Sequence, residues 1–152
     1  MGKYVRNVKN IIIVTLFASS MMVFSCKKEK AQKTIPVEIR NGGIVVYEKD
    51  GHGLVITPED IGWLDWDSAK VACDSLVLNS YSDWHLPTKD EMNDVYINLD
   101  KAGSGGFRDG CYWTSTSFSG GFGHWIHFFH DGTQMGDAYD GNQHLVRAVR
   151  VF

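Results

Sequence analysis

The sequence predicts an α+β domain of two helices with short antiparallel strands. Two amphipathic helical patterns lie in mid-chain, one over residues 65–78 and one running from Thr88 through Leu99. Short β-rich runs flank them on both sides, and nothing alternates in the strand–helix–strand order that builds parallel βαβ units.

Each element follows from local chemistry. Gly42-Gly43 precede Ile44-Val45-Val46-Tyr47, and Leu54-Val55-Ile56-Thr57 follows the turn stretch Lys49-Asp50-Gly51-His52-Gly53, which predicts a hairpin. Residues 65–78 place Ala69, Ala72, Cys73 and Leu76 on one helical face, with Asp65 or Asp67 as the cap. In the stretch Asp83-Trp84-His85-Leu86-Pro87-Thr88, Pro87 holds its predecessor extended. Thr88 with Glu91 three residues on makes a T-x-x-E capping box, and Met92, Val95, Tyr96 and Leu99 follow as one buried stripe. Asp90, Glu91 and Asp94 fall where the helix dipole favours negative charge, so this carboxylate cluster reads as architecture, not acid–base machinery. Residues 102–110 read as a Gly-rich loop, 112–117 as a strand, 124–129 as a strand entering an Asp131-Gly132 turn, 136–142 as a loop, and 145–152 as a final apolar strand carrying Arg147 and Arg150.

Lys3, Arg6 and Lys9 precede an apolar run over residues 11–24, the pattern of a secretory signal peptide spanning residues 1–25. The alternative is an uncleaved membrane anchor, for which these fourteen residues are short against the roughly twenty a bilayer needs. The Ser25-Cys26 junction resembles a bacterial lipobox, which makes Cys26 the acylated N-terminus of a lipoprotein and the lipid its membrane anchor. Residues 26–40 carry Lys27, Lys28, Lys30 and Lys33 without an aromatic and read as a flexible basic stalk. Residues 41–152 suit one domain. Seven Lys and Arg against sixteen Asp and Glu leave that domain near −9, which argues against nucleic acid and other polyanions as partners.

The ordered motifs Gly42-Gly43-Ile44-Val45, Gly51-His52-Gly53-Leu54, Asp83-Trp84-His85-Leu86-Pro87-Thr88 with Glu91, Tyr112-Trp113-Thr114-Ser115-Thr116 and Val146-Arg147-Ala148-Val149-Arg150 resemble the Lcl C-terminal domain family, catalogued as a domain of unknown function, and the related Fibrobacter major paralogous domain. The W-x-L-P-T-x-x-E and V-R-x-V-R elements are also similar to those of the formylglycine-generating and sulfatase-modifying group. These resemblances imply a C-type-lectin-like fold, with Trp84, Pro87, Thr88, Glu91, Trp113, Arg147 and Arg150 as its structural motif. His85 stands where arginine is commoner in the family, which removes a fixed cation beside the capping box. Sulfated polysaccharide, a ligand known in the family, needs positive surface that this domain lacks.

Phe107, Phe118, Phe122 and Tyr139 lie in Gly/Ser-rich loops, where an apolar ring is costly unless a ligand or a neighbour covers it; they are the candidate ligand-binding residues. The five tryptophans read mainly as core. Cys73 and Cys111 form either a disulfide or one buried helix thiol and one loop thiol. They lack the paired-cysteine pattern of the formylglycine-generating enzymes. Asp137, Asp140 and Asn142 offer hard oxygens in one loop and are weak calcium candidates against an ordinary turn. His124 and His130 share one face of a strand and His127 takes the other, so the three do not form a metal cluster by spacing. The sequence therefore predicts no catalytic residue and no cofactor beyond that calcium candidate. It predicts an exported, lipid-anchored binding or adhesion module of the outer membrane or cell envelope, periplasmic or surface-exposed, with a glycan or a surface protein as partner. An enzyme of the formylglycine-generating type and a structural envelope lipoprotein are the rival readings.

Overall fold

A computed structural model of the chain describes residues 37–152; the expected signal peptide, Cys26 and most of the stalk lie outside the described residues. The predicted hairpin forms from β2 (Gly43–Lys49) and β3 (His52–Ile56). Asp50 and Gly51 sit at φ 53° and 83°, the mirror-image two-residue turn whose twist matches that of the strands. A second turn of this kind, Asn41-Gly42 at φ 49° and 90°, adds β1 (Ile39–Arg40), a strand the sequence reading did not include. With β9 (Val149–Val151) they make a four-stranded antiparallel sheet in the order β1-β2-β3-β9.

The second sheet has five strands: β4 (Gly62–Leu64), β5 (Cys111–Ser117), β6 (His124–Phe128), β7 (Gln134–Asp137) and β8 (His144–Val146), in the order β4-β8-β5-β6-β7. The strands pair antiparallel as expected, apart from one parallel contact of β5 with β8 at Tyr112 and Leu145. Two expectations are corrected here. The expected loop over 136–142 gives its first two residues to a strand: β7 ends at Asp137, and its Gly136 is the residue over which the Phe118 ring lies, since a Cβ there would fall 2.1 Å from Phe118 Cγ. The expected single strand over 145–152 breaks at Arg147-Ala148, so β8 belongs to one sheet and β9 to the other.

Helix α1 (Trp66–Asp74) is shorter than predicted. Asp65 caps it, accepting from the Ser68 N–H at 2.9 Å, and the Ser75 hydroxyl donates to the Val71 carbonyl at 2.7 Å, closing the last turn early. Helix α2 (Lys89–Val95) begins with the full capping box: Thr88 Oγ1 accepts from the Glu91 N–H at 3.2 Å and Glu91 Oε2 accepts from the Thr88 N–H at 2.8 Å. A π-helical turn (Tyr96–Asp100) continues it and still buries Leu99. Among the described residues no helix is long and apolar enough to cross a membrane.

Apolar residues collect in two clusters. Met92, Val95 and Leu99 meet Ile44, Leu54, Ile56, Tyr112, Phe129 and Leu145 in one; Ala69 and Cys73 meet Val55, Trp84, Leu86, Trp113, Ile126 and Val146 in the other. Neighbours along a strand divide between them, as Leu54 and Val55 do, because successive side chains leave a strand on opposite faces. The inner strands of each sheet are therefore covered on both faces, by the α2 cluster on one and the α1 cluster on the other, while the edge strands stay partly open, with Ile39 and Trp63 exposed.

Candidate functional site

Two of the four predicted binding rings are open to solvent: Phe122 is 77% exposed and Tyr139 is 67% exposed. They lie on adjoining loops at one end of the five-stranded sheet. His124 pairs with Asp137 in the β6/β7 register, and one step outward Gly123 packs so closely on the next strand that a Cβ would fall 1.9 Å from the Asp137 carbonyl oxygen and 2.7 Å from Ala138 Cα. The residues beyond this contact on the two loops are Phe122 and Tyr139.

Two aspartates hold the Tyr139 loop. The Asp137 carboxylate accepts from the Tyr139 N–H at 3.0 Å, from Asn142 Nδ2 at 2.9 and 3.0 Å, and pairs with His144 Nε2 at 2.8 Å. Burial pushes its pKa up, but these contacts outweigh burial and hold it below the ordinary aspartate value. Asp140 Oδ1 lies 2.8 Å from His124 Nδ1, while its backbone carbonyl accepts from the Trp66 N–H at 2.9 Å. The Trp66 indole stacks flat on the His124 ring, 3.5 Å between centroids.

The other predicted site residues have different roles. Phe107 is not a surface ring: it lies in the α2 cluster, edge-on to Tyr112 and 4.8 Å from Phe129, with Arg147 Cζ 4.2 Å from its centroid. Phe118 is half-buried, edge-on to Trp125 at 5.3 Å and over Gly136. The calcium candidates do not converge their oxygens: Asn142 turns its Nδ2 toward Asp137, and Asp140 faces His124. Among the described residues no three His, Cys, Asp or Glu side chains are arranged to hold a metal. His130 falls beyond β6, beside Asp131, and so shares no strand face with His124. His127 is fully buried; its Nδ1 meets Gln134 Nε2 at 2.9 Å, its Nε2 has no partner, and burial pushes its pKa down to about 4.

Cys73 and Cys111 are free thiols. Cys73 is the buried helix residue of the second sequence reading, and Cys111 opens a strand instead of lying in a loop. Burial pushes the Cys73 thiol up to about 12 and raises that of Cys111, to which the Asp137 charge adds.

The motif residues serve the frame. Arg147, 1% exposed, donates Nε to Asp60 Oδ1 at 2.8 Å, Nη1 to the carbonyls of Thr57 at 3.2 Å and Gly105 at 2.8 Å, and Nη2 to that of Gly106 at 3.0 Å. Arg150 pairs with Asp83, donates to the Asn41 carbonyl and lies 3.8 Å over the Tyr81 ring. Trp84 and Trp113 are buried, whereas Trp63, on the edge strand β4, is 51% exposed. The sequence reading took the tryptophans mainly as core without separating Trp63, which its short edge strand sets apart.

The sequence profile of the Lcl C-terminal domain family matches residues 47–150. No curated protein matches the chain. The matched span holds both helices, the Thr88–Glu91 capping box and the Arg147 clasp, and the chain belongs to the Lcl C-terminal domain family.

Proposed function

We propose that the domain is a binding module of C-type-lectin-like architecture, held at the cell envelope by a lipid on Cys26, which recognises a glycan through Phe122 and Tyr139. The observation that carries this reading is the exposure of these two rings on loops that abut at Gly123. Flat apolar faces on an otherwise acidic domain suit a partner without strong negative charge, since seven cations against sixteen acidic residues repel polyanions. Support for binding over thiol chemistry of the formylglycine-generating type comes from the cysteines: a reactive cysteine is stabilised as thiolate, and burial drives both of these the other way.

The test is to measure the full chain against neutral glycans and heparin at low and physiological salt. Neutral glycan binding that falls with Phe122→Ala and Tyr139→Ala, beside weak and salt-sensitive heparin binding, is the expected result. Tight heparin binding at physiological salt, or glycan binding indifferent to both substitutions, rejects the reading. Binding of an envelope protein, and of no glycan, through the same rings assigns the site to a protein partner. Mass spectrometry of the mature chain checks the anchor: it should begin at an acylated Cys26, and an unmodified Cys26 inside a longer chain counts against it.

A further inference from the structure

The Tyr139 ring does not stand free of its loop. It folds back over Gly141, where a Cβ would fall 2.6 Å from Tyr139 Cζ, 2.7 Å from Oη and 2.8 Å from Cε1. Only a residue without a side chain lets the ring lie there. Gly141 is not among the residues at positive φ, so the space under the ring, and not the backbone conformation, is what calls for glycine. The ring is thus backed by main chain on one side while 67% of the residue stays open. The loop beneath is fixed by the Asp137 contacts with Tyr139 N–H, Asn142 and His144, by Asn142 N–H donating to the Tyr139 carbonyl at 3.0 Å, and by Asp140 against His124. A ring held in place before its ligand arrives loses little rotamer freedom on binding.

We infer that Gly141 is the positioning residue of the site and that Tyr139, seated on it, stacks against pyranose rings whose hydroxyls are mostly equatorial. This rests on the glycan reading of Phe122 and Tyr139. The geometry favours this ligand class: an open aromatic face held in place by its loop stacks well on a flat apolar face of an uncharged ligand. Pyranoses with equatorial hydroxyls present such a face in their axial C–H bonds, whereas an axial hydroxyl interrupts it. Phe122, on the adjoining loop, supplies a second apolar surface for the same chain of sugars.

The experiment uses the full chain with cellohexaose, chitohexaose and, as the axial-hydroxyl contrast, mannohexaose, by calorimetry. Tyr139→Ala and Gly141→Ala should each weaken cellohexaose or chitohexaose binding about tenfold. The double variant should bind no worse than Tyr139→Ala alone, because the glycine acts only through the ring. Thermal midpoints should stay at the wild-type value, since what a Cβ at 141 displaces is the far end of a flexible side chain. The seat has a readout of its own: the Gly141 α-protons should show an upfield ring-current shift by NMR that Tyr139→Ala abolishes. Gly141→Ala binding like wild type while Tyr139→Ala loses affinity overturns the positioning role and leaves the glycan reading standing. An unshifted Gly141 overturns the seat without reference to any sugar. Failure of all three oligosaccharides to bind, or binding untouched by both Tyr139→Ala and Phe122→Ala, overturns the glycan reading and this inference with it. A preference for mannohexaose overturns the ligand class alone.

Discussion

Arg147 and Asp60, far apart in the chain, meet through a 2.8 Å Nε–Oδ1 contact in which the arginine side chain is 1% exposed and the aspartate 9%. Tyr112 Oη donates to the same carboxylate at 3.1 Å and Arg108 Nε lies 3.2 Å from its second oxygen. Removing Arg147 leaves the nearly buried Asp60 carboxylate with only the exposed Arg108 and the Tyr112 hydroxyl, and leaves three carbonyls without their donor. Arg147→Met should therefore destabilise the domain by about 3–5 kcal/mol. Adding Asp60→Asn should restore only part of the loss, because the carbonyls of Thr57, Gly105 and Gly106 still lack their donor. Urea unfolding of the single and double variants checks both statements.

Thr88→Ala should cost about 1 kcal/mol, as loss of a helix N-cap does. Glycan binding by the folded fraction should be unchanged, since Thr88 serves α2 and lies outside the Tyr139 loop. Loss of binding at an unaltered melting temperature would make the Thr88–Glu91 stretch a site in its own right.

His85 lies beside the capping box. Its Nε2 lies 3.2 Å from Glu91 Oε1, and this contact raises the His85 pKa against the opposing effect of burial. The stability it adds is present in acid and is lost as pH rises through the raised His85 pKa. His127 has the opposite sign. Its folded pKa of about 4 lies below the ordinary value of 6.5, so the folded state binds fewer protons than the unfolded chain across that interval. Stability should fall as pH drops from 6.5 toward 4, by an amount on the order of 3 kcal/mol from His127 alone. His127→Phe should flatten the denaturant midpoint across this window relative to wild type, whatever its effect at neutral pH. An unaltered slope would mean that His127 is charged in the fold.

The aromatic candidates should separate by stability. Phe107→Ala removes a ring packed on Tyr112, Phe129 and Arg147 and should cost about 3 kcal/mol or more. Phe122→Ala and Tyr139→Ala should stay within about 0.5 kcal/mol of wild type, as exposed substitutions usually do. Thermal denaturation of the three variants decides whether the division into core ring and surface rings is right.

What the sequence made legible is what has a local cause. Thr88 and Glu91 are three residues apart, Asp65 sits directly before its helix, and Asp50-Gly51 fills its own turn, so each could be read where it stands. Asn41-Gly42 carried the same kind of turn signal and went unread because β1 is only Ile39–Arg40. The strand β7 was hidden for a different reason: Gln134-Met135-Gly136-Asp137 has one apolar residue, and its glycine is explained only by the ring of Phe118, brought in by the β5–β6 connection. Phe107 looked like a loop ring until Arg147 and Phe129 covered it from distant parts of the chain. Of the candidate site, Phe122 and Tyr139 were named from loop composition. Their adjacency depends on the β6/β7 register, and the seat at Gly141 on a side-chain rotamer that no periodicity reports.

The step from β8 to β9 across Arg147-Ala148 has a consequence for how the domain folds. One short segment supplies a strand to each sheet, so neither sheet reaches its final width until the same few residues are in place. Strand β3 needs β9, and β4 needs β8. The pairings β3–β9, β4–β8 and β5–β8 join distant parts of the chain, and topologies that depend on such pairings fold on a millisecond-to-second scale rather than in microseconds. Denaturant unfolding should accordingly proceed in a single transition seen alike by fluorescence of the buried Trp113 and by far-ultraviolet dichroism, with no state that keeps one sheet after losing the other.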